Sequence, residues 1–328
     1  MENQKPYATV LDMIGNTPVV ELSRFSTGSC RLFLKLECTN PGGSIKDRIA
    51  LGMIRDAEEK GYIKPGDTLI EATAGNTGLG LALVAGQKGY RVKIVMPDKM
   101  SIEKKYCLEA MGAEVIMTRS DVTKGHPAYY QDLAESLAQQ ESGFYINQFS
   151  NKANRRTHYR TTGPEIWRQL DGMVDAVVFG VGTGGTMSGA GGFLREKNPD
   201  IDIVLADPEG SVLAPLVRSG TIPAEVGSWY VEGIGEDFVP EICNLDLVSR
   251  AYSIPDREAF ATARKLLFRE GVSAGSSTGT LLAAALRYCR EQSEPKRVLT
   301  FACDTGNRYL SKLYNDEWME QHLPPEKP

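Results

Sequence analysis

The stretch Thr68-Leu69-Ile70-Glu71-Ala72-Thr73-Ala74-Gly75-Asn76-Thr77-Gly78 passes from an apolar run into a loop of small and hydroxylated residues, then opens a helical segment over 78–88. A short, almost uninterrupted apolar run suits a strand buried on both faces, and the glycines after it let the backbone turn tightly into the helix. The same order recurs along the chain. Strand-like runs fall at 32–36, 68–71, 93–96, 114–117, 176–181, 202–206 and 298–302. Helical segments fall between them at 45–60, 78–88, 102–111, 129–140, 163–170, 188–197, 256–269 and 280–292. This alternation predicts an α/β fold, with two three-layer α/β/α domains and mostly parallel, twisted sheets. A break near Ser150-Asn151-Lys152 divides the strands into two sets, each sufficient for a sheet. Ligands in such folds sit at the carboxyl ends of strands, where loops feed helix N-termini.

Composition narrows the function classes. The chain has 328 residues and a formal charge of −5, which argues against nucleic acid or an anionic membrane as a partner. No stretch approaches the roughly 18 apolar residues of a membrane span. The start, Met1-Glu2-Asn3-Gln4-Lys5-Pro6, lacks the apolar core of a secretory signal, so a cytoplasmic location is expected. The cysteines (Cys30, Cys38, Cys107, Cys243, Cys289, Cys303) and histidines (His126, His158, His322) are scattered, without metal-ligand spacing. No metal site is expected. His158, in a motif-rich stretch, is read as a structural hydrogen-bonder.

Three loops carry the chemistry, each after a strand and each opening a helix: Glu71 to Gly78, then Gly180-Val181-Gly182-Thr183-Gly184-Gly185-Thr186, then Ser273-Ala274-Gly275-Ser276-Ser277-Thr278-Gly279. Converging backbone N–H groups and the positive end of a helix make each a candidate anion seat. The second loop also satisfies G-x-G-x-x-G through Gly180, Gly182 and Gly185, with Asp207 placed as a ribose acid would be, so a nicotinamide oxidoreductase is one reading. The hydroxyls of Thr183 and Thr186 suit a terminal phosphate monoester better than a pyrophosphate bridge, and a monophosphate cofactor is favoured.

A fourth stretch, Pro41-Gly42-Gly43-Ser44-Ile45-Lys46-Asp47-Arg48, holds a lysine behind two glycines that let another group approach the backbone closely. Alone, Lys46 reads as an exposed residue opening a helix over 45–60 capped by Ser44. A nucleophilic lysine needs a neighbouring carbonyl and conditions that keep its amine partly neutral. Pyridoxal phosphate carrying an amino acid would use all four features: a lysine, a phosphate seat, a carboxylate seat and a hydroxyl for the ring nitrogen.

Together these stretches resemble the motif set of the fold-type-II pyridoxal-phosphate enzymes, the cysteine synthase and cystathionine β-synthase family, over nearly the whole chain and in the family's order. The resemblance implies a fold like that of the tryptophan synthase β subunit, with 1–42 and 150–328 forming a large cofactor-binding domain and 43–149 a smaller mobile one. It implies that Lys46 is the Schiff-base lysine and acid–base catalyst, that Asn76 contacts the ring hydroxyl, and that Gly182, Thr183, Gly184, Gly185 and Thr186 hold the phosphate. Ser277 would face the ring nitrogen, leaving it largely unprotonated and favouring β-elimination and replacement over transamination. Thr73, Ala74, Gly75, Asn76 and Thr77, with Gln148, would take the substrate carboxylate. Ala74 stands where the family usually has serine, which keeps the backbone N–H and loses a hydroxyl.

The segment Glu232-Gly233-Ile234-Gly235-Glu236-Asp237-Phe238-Val239-Pro240 resembles the cystathionine-forming branch, with Gly233 and Asp237 as substrate residues and Asp237 recognising the amino group of homocysteine. Glu236 in place of the usual tyrosine, and Phe149 after Gln148, depart from that branch. The expected reaction joins L-serine and L-homocysteine into L-cystathionine, with hydrogen sulfide release as a side activity. The alternative is cysteine synthesis from O-acetylserine and sulfide, and a nicotinamide oxidoreductase is the remote one. A homodimer acting on small amino acid and thiol substrates is expected, short and without haem or a regulatory module.

Overall fold

The computed structural model describes residues 6–73, 75–98, 100, 102–123 and 125–323. Strands β1 (Val19–Glu21) and β2 (Arg31–Lys35) are followed by helix α1 (Lys46–Glu59), β3 (Thr68–Ala72), α2 (Asn76–Lys88) and β4 (Arg91–Pro97). Next come α3 (Ile102–Ala110), β5 (Glu114–Thr118), α4 (Tyr130–Gln140), β6 (Phe144–Tyr145), α5 (Lys152–Arg160) and α6 (Thr162–Gln169). The chain continues through β7 (Ala176–Gly180), α7 (Gly192–Lys197), β8 (Asp202–Pro208), α8 (Leu213–Ser219) and β9 (Arg250–Ile254). It closes with α9 (Asp256–Glu270), α10 (Ser276–Arg290), β10 (Arg297–Phe301) and α11 (Asp316–His322).

These elements form two compact units, Met1–Thr17 with Asn40–Thr157, and Pro18–Thr39 with His158–Pro328. The boundaries depart from the expected ones at the N-terminus and near residue 150. Leu11 explains the first difference, because it is buried in the core of the smaller unit, with Val10 and Ile14 packed beside it.

The smaller unit holds a wholly parallel sheet in the order β5-β4-β3-β6. Successive strand side chains point to opposite faces, and here both faces are covered. Leu69 of β3 joins Ile94 and Met96 of β4 in a core with Ile49, Met53 and Ile54 of α1 and Leu81 and Val84 of α2. Ile70 and Ala72, one position out of phase, pack with Val95 against Ala134 and Ala138 of α4. The unit is therefore three layers thick.

In the larger unit the order is β1-β2-β10-β7-β8-β9, parallel apart from β1. Strands β7, β8 and β10 are buried almost end to end, as a sheet covered on both faces requires. A buried ion pair, Lys35 to Glu165 at 3.0 Å, ties β2 to α6.

No helix among the described residues is long and apolar enough to cross a membrane. Among them no cluster of three or more histidine, cysteine or acidic side chains could hold a metal ion.

Candidate functional site

The catalytic candidates of the smaller unit lie at the carboxyl end of its sheet. Helix α1 starts at Lys46, one residue later than the sequence pattern suggests. Ser44 does not cap it in the usual way; its Oγ accepts from the Lys46 N–H at 3.3 Å. The space left by Gly42 is filled by Asp47, whose Oδ2 accepts the Gly42 N–H at 2.5 Å, and a Cβ at residue 42 would collide with that carboxylate. Gly42 thus admits a neighbouring side chain, and the tight turn it makes presents the half-buried Lys46 at the helix start. Gly80 brings α2 close, since a Cβ there would lie 3.2 Å from the Lys46 carbonyl oxygen. Lys46 and Asn76, the first residue of α2, are held on two helices in direct contact.

Between β3 and α2 runs the expected carboxylate loop. Ala74 lies outside the described residues. Thr73 Oγ1 accepts the Gly75 N–H at 3.2 Å, and Thr77 Oγ1 donates to Gln148 Oε1 at 2.6 Å. Thr73 and Thr77 are buried here together with Gln148, which is 71 residues from Thr77 in sequence. Lys104, which the sequence reading passed over, is buried beside this loop, its Nζ 3.3 Å from where a Cβ of Gly75 would stand.

In the larger unit the 182–186 loop follows β7 and opens into a π-helical turn, Met187–Gly191, that continues as α7. Gly184 has φ +81°, and a Cβ there would lie 2.4 Å from Cys243 Cβ. A Cβ on Gly182 would meet the Gly233 carbonyl oxygen at 2.6 Å. The bare backbone is therefore a packing requirement of the loop. Thr183 Oγ1 accepts the Gly185 N–H at 3.4 Å. His158, buried and bonded to Thr162 at 2.9 Å, reaches Thr186 Oγ1 with its other ring nitrogen at 3.2 Å. It is a structural hydrogen-bonder, as expected, and the group it holds is a hydroxyl of this loop.

The 233–237 segment lies against the same loop. Gly235 donates its N–H to the Val181 carbonyl at 2.9 Å. Glu236 is the carboxylate that faces Gly182, its Oε1 3.8 Å from the position of a Cβ there, whereas Asp237 is exposed. Ser277 is buried in the first turn of α10, which begins at Ser276. Asp207, the ribose acid of the nicotinamide reading, is buried at the end of β8, with Oδ2 accepting the Ala214 N–H at 2.8 Å. Burial lifts its pKa to about 6, and its role is to tie down the turn into α8.

A family model described as "Pyridoxal-phosphate dependent enzyme" matches residues 10–304. The chain belongs to that family. Its cofactor is pyridoxal 5'-phosphate, and its fold is the family's fold type II. The chain is 41% identical over 315 residues to a cystathionine β-synthase of Apis mellifera, covering 95% of this chain and 62% of that protein. It is 41% identical over 312 residues to a cysteine synthase of Staphylococcus aureus, covering 94% and 97%. A solved hydrogen sulfide-producing enzyme of Fusobacterium nucleatum superposes with a TM-score of 0.85 at 37% identity, over 93% of this chain and all of that one. The chain spans about three fifths of the length of the cystathionine β-synthases it matches.

The residues present suit the family's cofactor. A terminal phosphate needs several N–H donors, hydroxyls and the positive end of a helix. The 182–186 loop offers all three, and Gly182 and Gly184, packed against Gly233 and Cys243, hold its backbone in place. A groove lined by polar and apolar groups also exists at the opposite, amino-terminal edge of the smaller sheet, around Thr68, Arg91, Val92 and Lys93. Within this unit it lies at the other end of the sheet from the 71–78 loop, and Lys93 there is already paired with Glu114 and Glu141.

Proposed function

We propose that this chain catalyses β-replacement on an amino acid, joining L-serine and L-homocysteine into L-cystathionine and water. Bound pyridoxal phosphate supplies an electron-withdrawing ring that makes the Cα proton of an attached amino acid removable. Lys46 anchors it. Freed by the incoming amino acid, the Lys46 amine would take the Cα proton and later help protonate the leaving hydroxyl, which departs as water, or the product, as base and then acid. Thr73, Ala74, Gly75, Asn76 and Thr77, with Gln148, hold the substrate carboxylate, and Asn76 also bonds the ring hydroxyl. Gly182, Thr183, Gly184, Gly185 and Thr186 hold the phosphate. The Ser277 hydroxyl bonds the ring nitrogen without protonating it, which favours loss of the β-substituent over transamination.

The observation that carries the choice of thiol is the carboxylate pair of the 233–237 segment. Glu236 faces the phosphate loop, and Asp237, next in the chain, is exposed. Two adjacent carboxylates attract the ammonium of an amino-acid thiol and repel a hydrosulfide anion. A second reading, cysteine synthesis from O-acetylserine and sulfide, draws support from the Staphylococcus aureus relative, which this chain matches over 97% of that protein's length. Release of hydrogen sulfide as a side activity is consistent with the Fusobacterium nucleatum enzyme. The anchor assignment is tested by borohydride reduction, digestion and mass mapping. The cofactor is expected on the peptide carrying Lys46, and Lys46→Ala is expected to lower turnover by about a thousandfold or more. Attachment at Lys104 or another lysine would overturn it.

A further inference from the structure

Glu71 is fully buried near the end of β3, and none of the chemistry above uses it. Its two oxygens are committed to different segments. Oε1 accepts the Ala72 N–H at 2.8 Å, and Oε2 accepts the Gln148 N–H at 3.1 Å. Gln148 is gripped on its other polar atoms as well. Its Nε2 donates to the Ala72 carbonyl at 3.2 Å, its Oε1 accepts from Thr77 Oγ1 at 2.6 Å, and its own carbonyl accepts from Asn154 Nδ2 at 2.9 Å. The carboxyl group therefore joins the strand that feeds the carboxylate loop to the residue that closes it.

The chemistry of this clamp demands a carboxyl group. Two N–H donors point at two oxygens, so an amide of the same shape could accept only one of them and would turn its own N–H groups toward the other. Burying a carboxyl group costs far more than burying an apolar side chain of similar size. Burial pushes the Glu71 pKa up to about 8, against the lowering effect of the two amide bonds. An apolar residue would serve the core better here. The unfavourable burial is accounted for if holding Gln148 in place is what the residue does.

We propose that Glu71 is the positioning residue of the amino acid carboxylate seat: by fixing Gln148, and through it the Thr77 hydroxyl, it sets the affinity for the amino acid that loses its β-substituent and leaves the affinity for the thiol unaffected. This rests on the β-replacement reading above. The test uses the cofactor-loaded enzyme and compares wild type, Glu71→Gln, Gln148→Ala and the double variant. Binding of serine and of O-acetylserine is read from the change in cofactor absorbance on titration, and KM for the thiol is measured separately. Glu71→Gln is expected to weaken amino acid binding about tenfold or more, with cofactor content, resting absorbance and thiol KM unchanged. The double variant is expected to bind no more weakly than Gln148→Ala, because Glu71 acts through the Gln148 side chain that this variant already lacks.

Unchanged amino acid affinity in Glu71→Gln, or additive losses in the double variant, would overturn the proposal. If Glu71→Gln does not fold, Asn154→Ala decides, since it loosens Gln148 from its other side. Weaker amino acid binding with unchanged thiol KM supports the linkage, and unchanged binding overturns it. Failure of both amino acids to perturb the wild-type absorbance would instead sink the β-replacement reading itself.

Discussion

Gly184 combines a left-handed backbone, φ +81°, with contact against Cys243 on the side where a Cβ would project. Alanine there meets two obstacles, a backbone preference of roughly 1 kcal/mol and a collision that only movement of the loop can relieve. Gly184→Ala is therefore expected to purify with less bound pyridoxal phosphate, as measured by cofactor extraction and absorbance. Full occupancy would show that the loop does not grip the phosphate through this backbone. At this scale the sequence was most legible where a residue type has few alternative uses. The glycines and threonines of 182–186 announced an anion seat, and the loop's geometry suits one. Gly42 was harder to read, because nothing in the pattern indicated that Asp47 would turn back to fill its space. Glu71 was visible inside the first loop, yet its role depends on Gln148, a contact across 77 positions that local spacing does not encode. Glu236 likewise faces Gly182 only because the 233–237 segment folds against the phosphate loop, and the sequence pattern had drawn attention to Asp237 instead.

Helices α9 and α10 show what positions Ser277. Gly279, three residues into α10, lies so close to α9 that a Cβ would stand 2.0 Å from the Ala259 carbonyl oxygen. Helices approach this closely only over a residue without a side chain. Gly279→Ala must push them apart, and a loss of about 1–3 kcal/mol is expected from overpacking. Urea unfolding measures it, and an unchanged midpoint would contradict the packing described. The helix was expected to begin at residue 280. Serine, threonine and glycine are modest helix formers that also populate loops, so propensity alone put the first turn outside the helix. Packing against α9 and the buried surroundings of 276–279 override that preference. Short or polar elements were missed for related reasons. β6 has two residues, β9 (Arg250–Ile254) is largely half-buried at a sheet edge, and α5 carries too many charges for an apolar stripe to stand out. The long apolar strands β3, β4, β7, β8 and β10 were legible because burial on both faces leaves little room for polar residues.

For the whole molecule, the pattern of strand, loop and helix was sufficient to read two α/β units with mostly parallel sheets. The unit boundaries were not, because the N-terminal segment is assigned by the burial of Leu11 in a core assembled from distant helices. Family and cofactor followed from four motifs in a fixed order, whereas the choice of substrate rests on a few side chains in one segment. Relatives named cystathionine β-synthase and cysteine synthase are equally similar to this chain, at 41% identity each for Apis mellifera and Staphylococcus aureus. Overall likeness therefore cannot separate the two reactions, and selectivity in such pockets can turn on only ~1–3 kcal/mol. The most direct test is to measure kcat/KM for serine and O-acetylserine, each with homocysteine and with sulfide. With serine as the first substrate, homocysteine is predicted to exceed sulfide by about tenfold or more, as an ammonium-seeking carboxylate pair requires. If serine with homocysteine is the poorest of the four pairs and O-acetylserine with sulfide the best, the account is contradicted.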